Sequence, residues 1–162
     1  MRLSGYIASL LLWLCSTALS ATEITIAENG RSRCAVVVAE DATLPEQHAA
    51  IELVYFLEQI MEAEIPLVHE AQEDTANLFV GSKAAKTVSP YFSNKNMESD
   101  ELVLRTVGND LILAGGEPRG TLYAVYTFLE NVAGCRWWAP DASQIPKNRN
   151  VDGWVNSSCC CR

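Results

Sequence analysis

Apolar residues follow two different periods along this chain. In short segments they alternate with polar residues or form brief continuous runs, which predicts β-strands, and in longer segments they recur every three or four positions, which predicts helices. Strands are predicted at residues 23–27, 34–39, 66–69, 77–80, 101–107, 110–114 and 135–139. Long helices are predicted at residues 44–62 and 122–133, the second opened by Pro118, and a short helix that Ser82 can cap at 82–87.

Turn and cap signals separate the predicted elements. Asn29-Gly30 and Gly108-Asn109 favour tight hairpins between neighbouring strands. Thr43 and Glu46 have the spacing of a capping box, in which each side chain bonds the backbone N–H of the other residue at a helix start. Hairpins join antiparallel strands, and each long helix has one apolar face to bury. We therefore predict an α+β fold, with a mixed, mainly antiparallel sheet and the two long helices packed on one face.

A glycine-rich turn joins the strand at 110–114 to the second long helix. Gly120 falls in the first helical turn beside a strand end, so we predict that a side chain there would push the helix off the sheet. The spacing of Gly115, Gly120 and Thr121 also occurs in phosphate loops, but the lysine that such loops need is missing. Close packing is therefore the favoured interpretation of these glycines, and phosphate binding the weaker one.

The same region carries a resemblance to a known family. Its residues are Gly115-Gly116-x-x-Arg119-Gly120-Thr121-Leu122-Tyr123-x-Val125-Tyr126-x-Phe128-Leu129-Glu130, then Gly134-Cys135-Arg136-Trp137-Trp138-Ala139-Pro140. With the helix at 44–62 and the strand end Phe79-Val80-Gly81, they resemble the N-terminal domain of α-glucuronidase-like glycoside hydrolases. That domain is similar to the non-catalytic domain before the barrel in β-hexosaminidases. The resemblance covers residues 23–145.

The resemblance implies a role without catalysis. In that family the catalytic carboxylates lie in a TIM barrel that follows this domain, so no catalytic residue of the family can be placed on the present chain. The chain ends at Arg162, and we expect it to be truncated, with the barrel as its missing partner. Xylan breakdown is the context that the resemblance implies.

The N-terminal residues predict export. Residues 3–14 form a nearly uncharged apolar run behind Arg2, and small residues follow. This pattern is typical of a secretory signal peptide, predicted here at residues 1–20, so we expect a secreted or periplasmic protein that leaves the membrane after cleavage. Cleavage removes one base and no acid, which leaves 11 basic and 20 acidic residues and a net charge of −9. That charge argues against nucleic acid or an anionic membrane as a partner.

The mature chain is predicted to hold one domain. The α+β domain spans residues 23–141, and a linker or disordered tail follows over 142–162. Cys34 and Cys135 stand at predicted strand starts, and export leaves two alternatives open: a disulfide between them or two buried free thiols. The three adjacent cysteines at 159–161 lack the spacing of a zinc site and lie in the predicted tail.

The residues do not nominate a catalytic, metal or cofactor site. His48 and Glu52 lie one turn apart on a helix but lack the second histidine of the metal-hydrolase motif. A glycosidase needs two carboxylates on either side of one glycosidic bond, and the sequence singles out no such pair. We therefore assign no catalytic residue, no metal and no cofactor.

Six residues are candidates for contact with another domain or with a sugar: Ile51, Tyr55, Arg119, Tyr123, Trp137 and Trp138. The first four lie on the predicted solvent side of the two long helices, where apolar residues on both helices of one layer suggest a partner surface. Adjacent strand residues point to opposite faces of a sheet. We therefore expect one tryptophan in the core and at most one free to stack on a sugar ring.

Three functional hypotheses follow. The favoured one is a non-catalytic accessory domain of a secreted polysaccharide-degrading glycoside hydrolase, docked on a catalytic barrel. The alternative is a free-standing secreted carbohydrate-binding module, which predicts an exposed Trp137 or Trp138. The third is an independent enzyme, which predicts a pocket with convergent carboxylates.

Overall fold

The computed structural model describes residues 24–139 and 141–153, and the backbone of residues 159–161. The predicted signal peptide lies outside the described residues. In chain order the elements are β1 (Ile24–Glu28), β2 (Arg31–Ser32), β3 (Cys34–Val38), α1 (Leu44–Met61), β4 (Leu67–Val68), β5 (Ala76–Val80), α2 (Ser82–Val88), β6 (Leu102–Val107), β7 (Asp110–Gly115), α3 (Gly120–Asn131), β8 (Arg136–Ala139), β9 (Ala142–Gln144), β10 (Val151–Gly153) and β11 (Cys159–Cys161). No helix in this part of the chain is long and apolar enough to cross a bilayer.

A six-stranded mixed sheet forms the centre of the domain, in the order β11-β6-β7-β5-β3-β4. Its β4, β3, β5 and β7 pair in parallel, whereas β6 and β11 are antiparallel to their neighbours. Two small antiparallel sheets, β10-β1-β2 and β8-β9, flank it. Five of the eight pairings among the described strands are antiparallel, so the predicted α+β class is confirmed.

Both predicted hairpins are present. Asn29-Gly30 joins β1 to β2, with both residues at positive φ, and Gly108-Asn109 joins β6 to β7. Positive φ at both central residues is what a two-residue hairpin turn of this type requires. The parallel pairings have no comparable local signal, because the chain joins those strands through helices or loops instead of tight turns.

Helices cover both faces of the parallel strands. Because side chains alternate across a sheet, Val36 and Val38 face α1 and α3, whereas Val37 packs with Phe79 against Ala84 of α2. The two long helices therefore share one face, as predicted. Their core includes the fully buried side chains of Leu53, Leu57, Ile60, Leu78, Leu111, Leu113, Phe128 and Leu129.

One buried carboxylate joins the starts of two helices. The predicted capping box is confirmed: Glu46 Oε2 accepts the Thr43 N–H at 3.0 Å, and Thr43 Oγ1 accepts the Glu46 N–H at 3.5 Å. The second carboxylate oxygen, Oε1, accepts the Ser82 N–H at 2.7 Å. Ser82 was predicted to cap α2, but the cap residue is Gly81 and the acceptor comes from α1. Gly81 has φ +91, and a Cβ there would lie 2.6 Å from Glu46 Oε1, so glycine leaves room for the carboxylate.

The glycine turn packs backbone against backbone. A Cβ on Gly120 would overlap the Glu101 carbonyl oxygen and lie 2.9 Å from the carbonyl carbon of Gly115, as predicted for this residue. A Cβ on Gly116 would overlap the Glu98 carbonyl oxygen. Pro118 precedes α3 instead of opening it, and the peptide bond before it is cis.

The region predicted as a linker or tail pairs with the domain. Strand β9 pairs with β8, β10 with β1, and β11 with β6. Between them, the Asn148 N–H donates to the Ile60 carbonyl at 2.9 Å, and Lys147 Nζ lies 3.3 Å from Glu62 Oε1. Residues 142–153 are therefore part of the folded domain and not a linker. The prediction erred because strands of three residues carry almost no periodic signal.

We expect Gly120→Val to lower the free energy of unfolding by about 1–3 kcal/mol, because the new side chain would overpack a backbone contact. Urea denaturation measures the change. Gly108→Asn is the matched control: Gly108 has φ +61 with nothing within 4 Å of its Cβ position, and asparagine tolerates that conformation. An unfolding midpoint unchanged in Gly120→Val would remove the packing role.

We expect Glu46→Ala to destabilise the protein by about 1.5–3 kcal/mol, because buried N–H groups at two helix starts would lose a charged acceptor. The Ser82 amide should also exchange its hydrogen faster than in the parent protein. Glu130→Ala, a substitution at an exposed position of α3, is the control and should leave both readouts unchanged. Equal stability of the two variants would contradict the role of Glu46.

Candidate functional site

The six candidate contact residues fall in three places on the surface. Tyr55, Trp137 and Trp138 share one cleft, whereas Ile51 lines a separate depression beside edge strand β4. Arg119 and Tyr123 pair at the start of α3, where the guanidinium carbon lies 5.9 Å from the centre of the tyrosine ring. The structure therefore brings three of the six together.

The cleft lies between α1 and the β8–β9 hairpin and has a volume of about 580 Å³. Its described lining residues are Tyr55, Phe56, Gln59, Trp137, Trp138, Ala139, Ser143 and Ile145. None of these described residues carries a charge at neutral pH. We call this site the aromatic cleft. Its outer walls are the exposed rings of Tyr55 and Trp138, whose accessible fractions are 57% and 67%.

The floor of the aromatic cleft is held by edge-to-face ring contacts. The centre of the Trp137 ring lies 5.4 Å from that of Phe56 and 5.0 Å from that of Tyr126. The Tyr126 hydroxyl donates to Glu52 Oε2 at 2.8 Å. Burial, with the neighbouring Glu52 carboxylate, raises the pKa of Tyr126 to about 12, so the hydroxyl keeps its proton and this hydrogen bond. These contacts fix the orientation of Trp137 before any ligand binds.

An irregularity in β8 explains why both tryptophans reach the cleft. Trp137 pairs with Ser143 and Ala139 with Ala142, and the register shifts between them at Trp138. Such irregularities redirect a side chain that regular alternation would send to the opposite face. The prediction is correct in that Trp137 packs against the core and Trp138 is exposed. It is incomplete because both residues line one cleft.

Several lining residues were not predicted. Ser143 and Ile145 belong to the segment that was assigned to the linker, so the β8–β9 hairpin was missed with them. Phe56 is one of the buried residues of α1 and directly precedes the core residue Leu57. The available signal was weak: Gln59 follows Tyr55 by one helical turn, which places both on the same side of α1.

No acidic residue is among the described lining residues of the aromatic cleft, although Glu52 bonds Tyr126 at its floor. One polar depression contains Glu28, Asp74 and Asp152, but Glu28 pairs with Arg33 at 2.9 Å. Another is lined by Asn96, Glu98, Asp100 and Glu101, within the loop before β6. The described lining residues of these two depressions and of the aromatic cleft therefore do not overlap.

The metal and phosphate interpretations gain no support. His48 Nε2 lies 4.0 Å from Glu52 Oε1, and across the described residues no group of histidine, cysteine and acidic side chains could hold a metal ion. At the glycine turn, the Gly120 N–H donates to the Gly116 carbonyl and the Arg119 N–H to the Ser99 carbonyl. These N–H groups are engaged within the fold and do not point into a phosphate cradle.

Cys34 and Cys135 are buried free thiols, which agrees with the second of the two alternatives and not with a disulfide. The Cys34 sulfur lies 3.8 Å from the Ser32 hydroxyl. Burial raises the pKa of Cys34 to about 11 and also raises the pKa of Cys135. Reactive cysteines have a lowered pKa, so both thiols act as apolar core residues.

The central mixed sheet with its helices, and the hairpin that lines the aromatic cleft, define a small α+β domain. The sequence model described as "Glycosyl hydrolase family 67 N-terminus" matches residues 12–128 of this chain. The chain belongs to this family. The resemblance to the N-terminal domain of α-glucuronidase-like glycoside hydrolases is therefore confirmed.

The chain is also similar to a solved structure described as "Structure of CpGH84D". The two share 18% sequence identity, and the TM-score is 0.45. The similar region covers 64% of this chain and 17% of that chain. No curated protein matches the chain significantly.

We expect Cys34 and Cys135 to resist alkylation in the folded protein at pH 8 and to react fully after denaturation without a reductant. Peptide mapping by mass spectrometry distinguishes these states, and a Cys34–Cys135 disulfide would leave both unmodified even after denaturation.

The pKa of the Cys34 thiol is about 9 in the unfolded chain, and burial raises this pKa to about 11 in the folded protein. Stability should therefore fall as the pH rises from 9 to 11, and Cys34→Ala should reduce that fall.

Proposed function

We propose that this chain acts as the non-catalytic accessory domain of a secreted, polysaccharide-degrading glycoside hydrolase of the α-glucuronidase type. The catalytic carboxylates would then belong to a barrel domain on which this domain docks, and xylan is the expected substrate class. The observation that carries the proposal is the family match over residues 12–128. The apolar leader at residues 3–14 supports export as part of the same proposal.

The positions of the acidic residues relative to the exposed aromatic rings support a role without catalysis. A glycosidase places two carboxylates about 5–10 Å apart on either side of a bound sugar. Here the exposed rings lie in the aromatic cleft, while Asp74 and Asp152 line a different depression. In the loop before β6, Asp100 accepts from Ser99 and lies 4.0 Å from Arg119. These contacts serve the structure of the loop.

The outer sides of α1 and α3 support a docking role. Ile51 and Tyr123 have accessible fractions of 56% and 38%, and Arg119 lies over the Tyr123 ring. A few such anchors can dominate the energy of an interface when a partner removes them from water. We define the docking surface as two separate outward-facing places, Ile51 on α1 and the Arg119–Tyr123 pair on α3, whereas Tyr55 lines the aromatic cleft.

We expect purified residues 22–156 to release no sugar from aryl glycosides or glucuronoxylan oligosaccharides, because no acidic residue is among the described lining residues of the aromatic cleft. Reducing-sugar and chromophore assays measure release. Activity that survives Tyr55→Ala and Tyr123→Ala, but is lost when one carboxylate is neutralised, would establish an independent enzyme and overturn the proposal.

We expect a separately expressed family 67 catalytic barrel to bind this domain. The double variant Ile51→Asp, Tyr123→Ala should weaken binding at least about tenfold, since it removes two interface anchors. Tyr91→Ala is the matched control, because Tyr91 is fully exposed and belongs to neither surface. Calorimetry measures the affinity, and equal binding by all three proteins would reject this docking surface.

A further inference from the structure

We propose that the aromatic cleft is a binding site for neutral pyranose units of a glycan. This goes beyond the proposed docking role and does not depend on it, because Trp138, Gln59 and Ser143 lie outside the docking surface. The ligand class follows from the lining, the rigidity of the floor and the charge around the cleft.

The lining combines flat apolar surfaces with neutral hydrogen-bonding groups. Trp138 and Tyr55 offer exposed rings at the outer walls, and Gln59 and Ser143 contribute an amide and a hydroxyl. A pyranose ring has the matching construction, with C–H groups on its faces and hydroxyl groups around its edge. Ligand sites commonly have volumes of about 300–1,000 Å³, and this cleft lies within that range.

Gln59 and Ser143 are placed to reach a sugar ring that stacks on the aromatic walls of the cleft. Ser143 stands opposite Trp137 across the β8–β9 pair, so their side chains share one side of the hairpin. The Gln59 amide donates one hydrogen bond to the Tyr55 carbonyl at 3.3 Å. A carboxamide has two N–H donors and an acceptor oxygen, so this contact uses only one of its N–H donors.

The rigid floor reduces the cost of binding. Trp137 is packed between Phe56 and Tyr126, and the Tyr126 hydroxyl is anchored on Glu52. A preformed surface loses little conformational freedom when a ligand arrives, which favours weakly interacting ligands such as sugars. All of these contacts are made within this chain.

The charge around the cleft favours a neutral ligand over an acidic one. None of the described lining residues is charged at neutral pH. The nearby cation, Lys147, donates to the Gln59 carbonyl at 2.9 Å and lies 3.3 Å from Glu62 Oε1. Its charge is therefore compensated by Glu62, which itself also lies 3.7 Å from Arg149. A carboxylate-bearing sugar would find no unpaired cation in the cleft lining that the structure describes.

The test uses the full chain and three probes of equal length: xylohexaose, cellohexaose and an anionic oligogalacturonide. We expect at least one neutral hexaose to bind by calorimetry and the anionic oligomer to bind more weakly. Trp138→Ala should reduce the affinity about tenfold or more, because it removes the exposed stacking surface. Trp138→Tyr should retain most of the affinity, since it keeps an aromatic ring. Tyr91→Ala, an exposed aromatic outside the cleft, should bind like the parent chain.

Thermal melts of each variant show that loss of binding is not loss of folding, and Gln59→Ala provides a second cleft variant if Trp138→Ala fails to fold. The proposal would be overturned if neither neutral probe binds, or if both cleft variants keep the affinity of the parent chain.

Tighter binding of the anionic probe than of the neutral probes would also overturn the proposal. Loss of barrel binding in Trp138→Ala without any glycan affinity would reassign the cleft as a protein interface. The docking variant Ile51→Asp, Tyr123→Ala should keep glycan affinity, so failure of docking and failure of the glycan site are separate results.

Discussion

The buried carboxylate of Glu46 connects the two layers of helices across the central sheet. It closes the capping box at the start of α1 and accepts the Ser82 N–H at the start of α2, which packs on the opposite face. A carboxylate is rarely buried to the extent of Glu46, whose accessible fraction is 3%. Here backbone N–H groups replace its lost water, and the positive ends of two helix dipoles face its charge. This contact therefore joins the start of α1, the helix that forms one wall of the aromatic cleft, to the start of α2.

The aromatic cleft depends on a second long-range constraint. Its rings come from α1 and from β8, which are joined in space by Tyr126 of α3. The Tyr126–Glu52 hydrogen bond links the two long helices next to this cluster. A polar contact at the border of an apolar cluster orients the rings more strictly than apolar packing alone. The same contacts therefore determine both the shape of the aromatic cleft and the packing of the two long helices.

The aromatic cleft and the two depressions lined by acidic residues lie at different places on the surface of the domain. Exposed aromatic rings and neutral polar groups meet in the aromatic cleft, while acids occupy the loop before β6 and the depression beside β1. Membership of the glycosyl hydrolase family 67 N-terminus family relates the domain to carbohydrate enzymes. Both observations support the proposal of an accessory domain.

Local sequence determined the elements whose signals are local. The hairpins at Asn29-Gly30 and Gly108-Asn109, the capping box of α1 and the glycine packing at α3 follow from backbone preferences and sterics within a few residues. The exposure of Ile51 and Tyr55 followed from helical periodicity in the same way. The family resemblance was equally local, because its most distinctive residues surround one turn.

Only the tertiary structure decided which distant residues meet. The contact between Glu46 and Ser82 spans 36 positions and that between Glu52 and Tyr126 spans 74, and no periodic pattern specifies such pairs. Strands β9 and β10 are too short to be predicted alone and form because partners in β8 and β1 are already in place. The register shift at Trp138 likewise depends on that pairing. The sequence therefore determined the helices, the two predicted hairpins and one exposed tryptophan. The aromatic cleft was decided by the tertiary structure, because it forms only where α1 packs beside the β8–β9 hairpin, and that hairpin forms only when its two short strands pair.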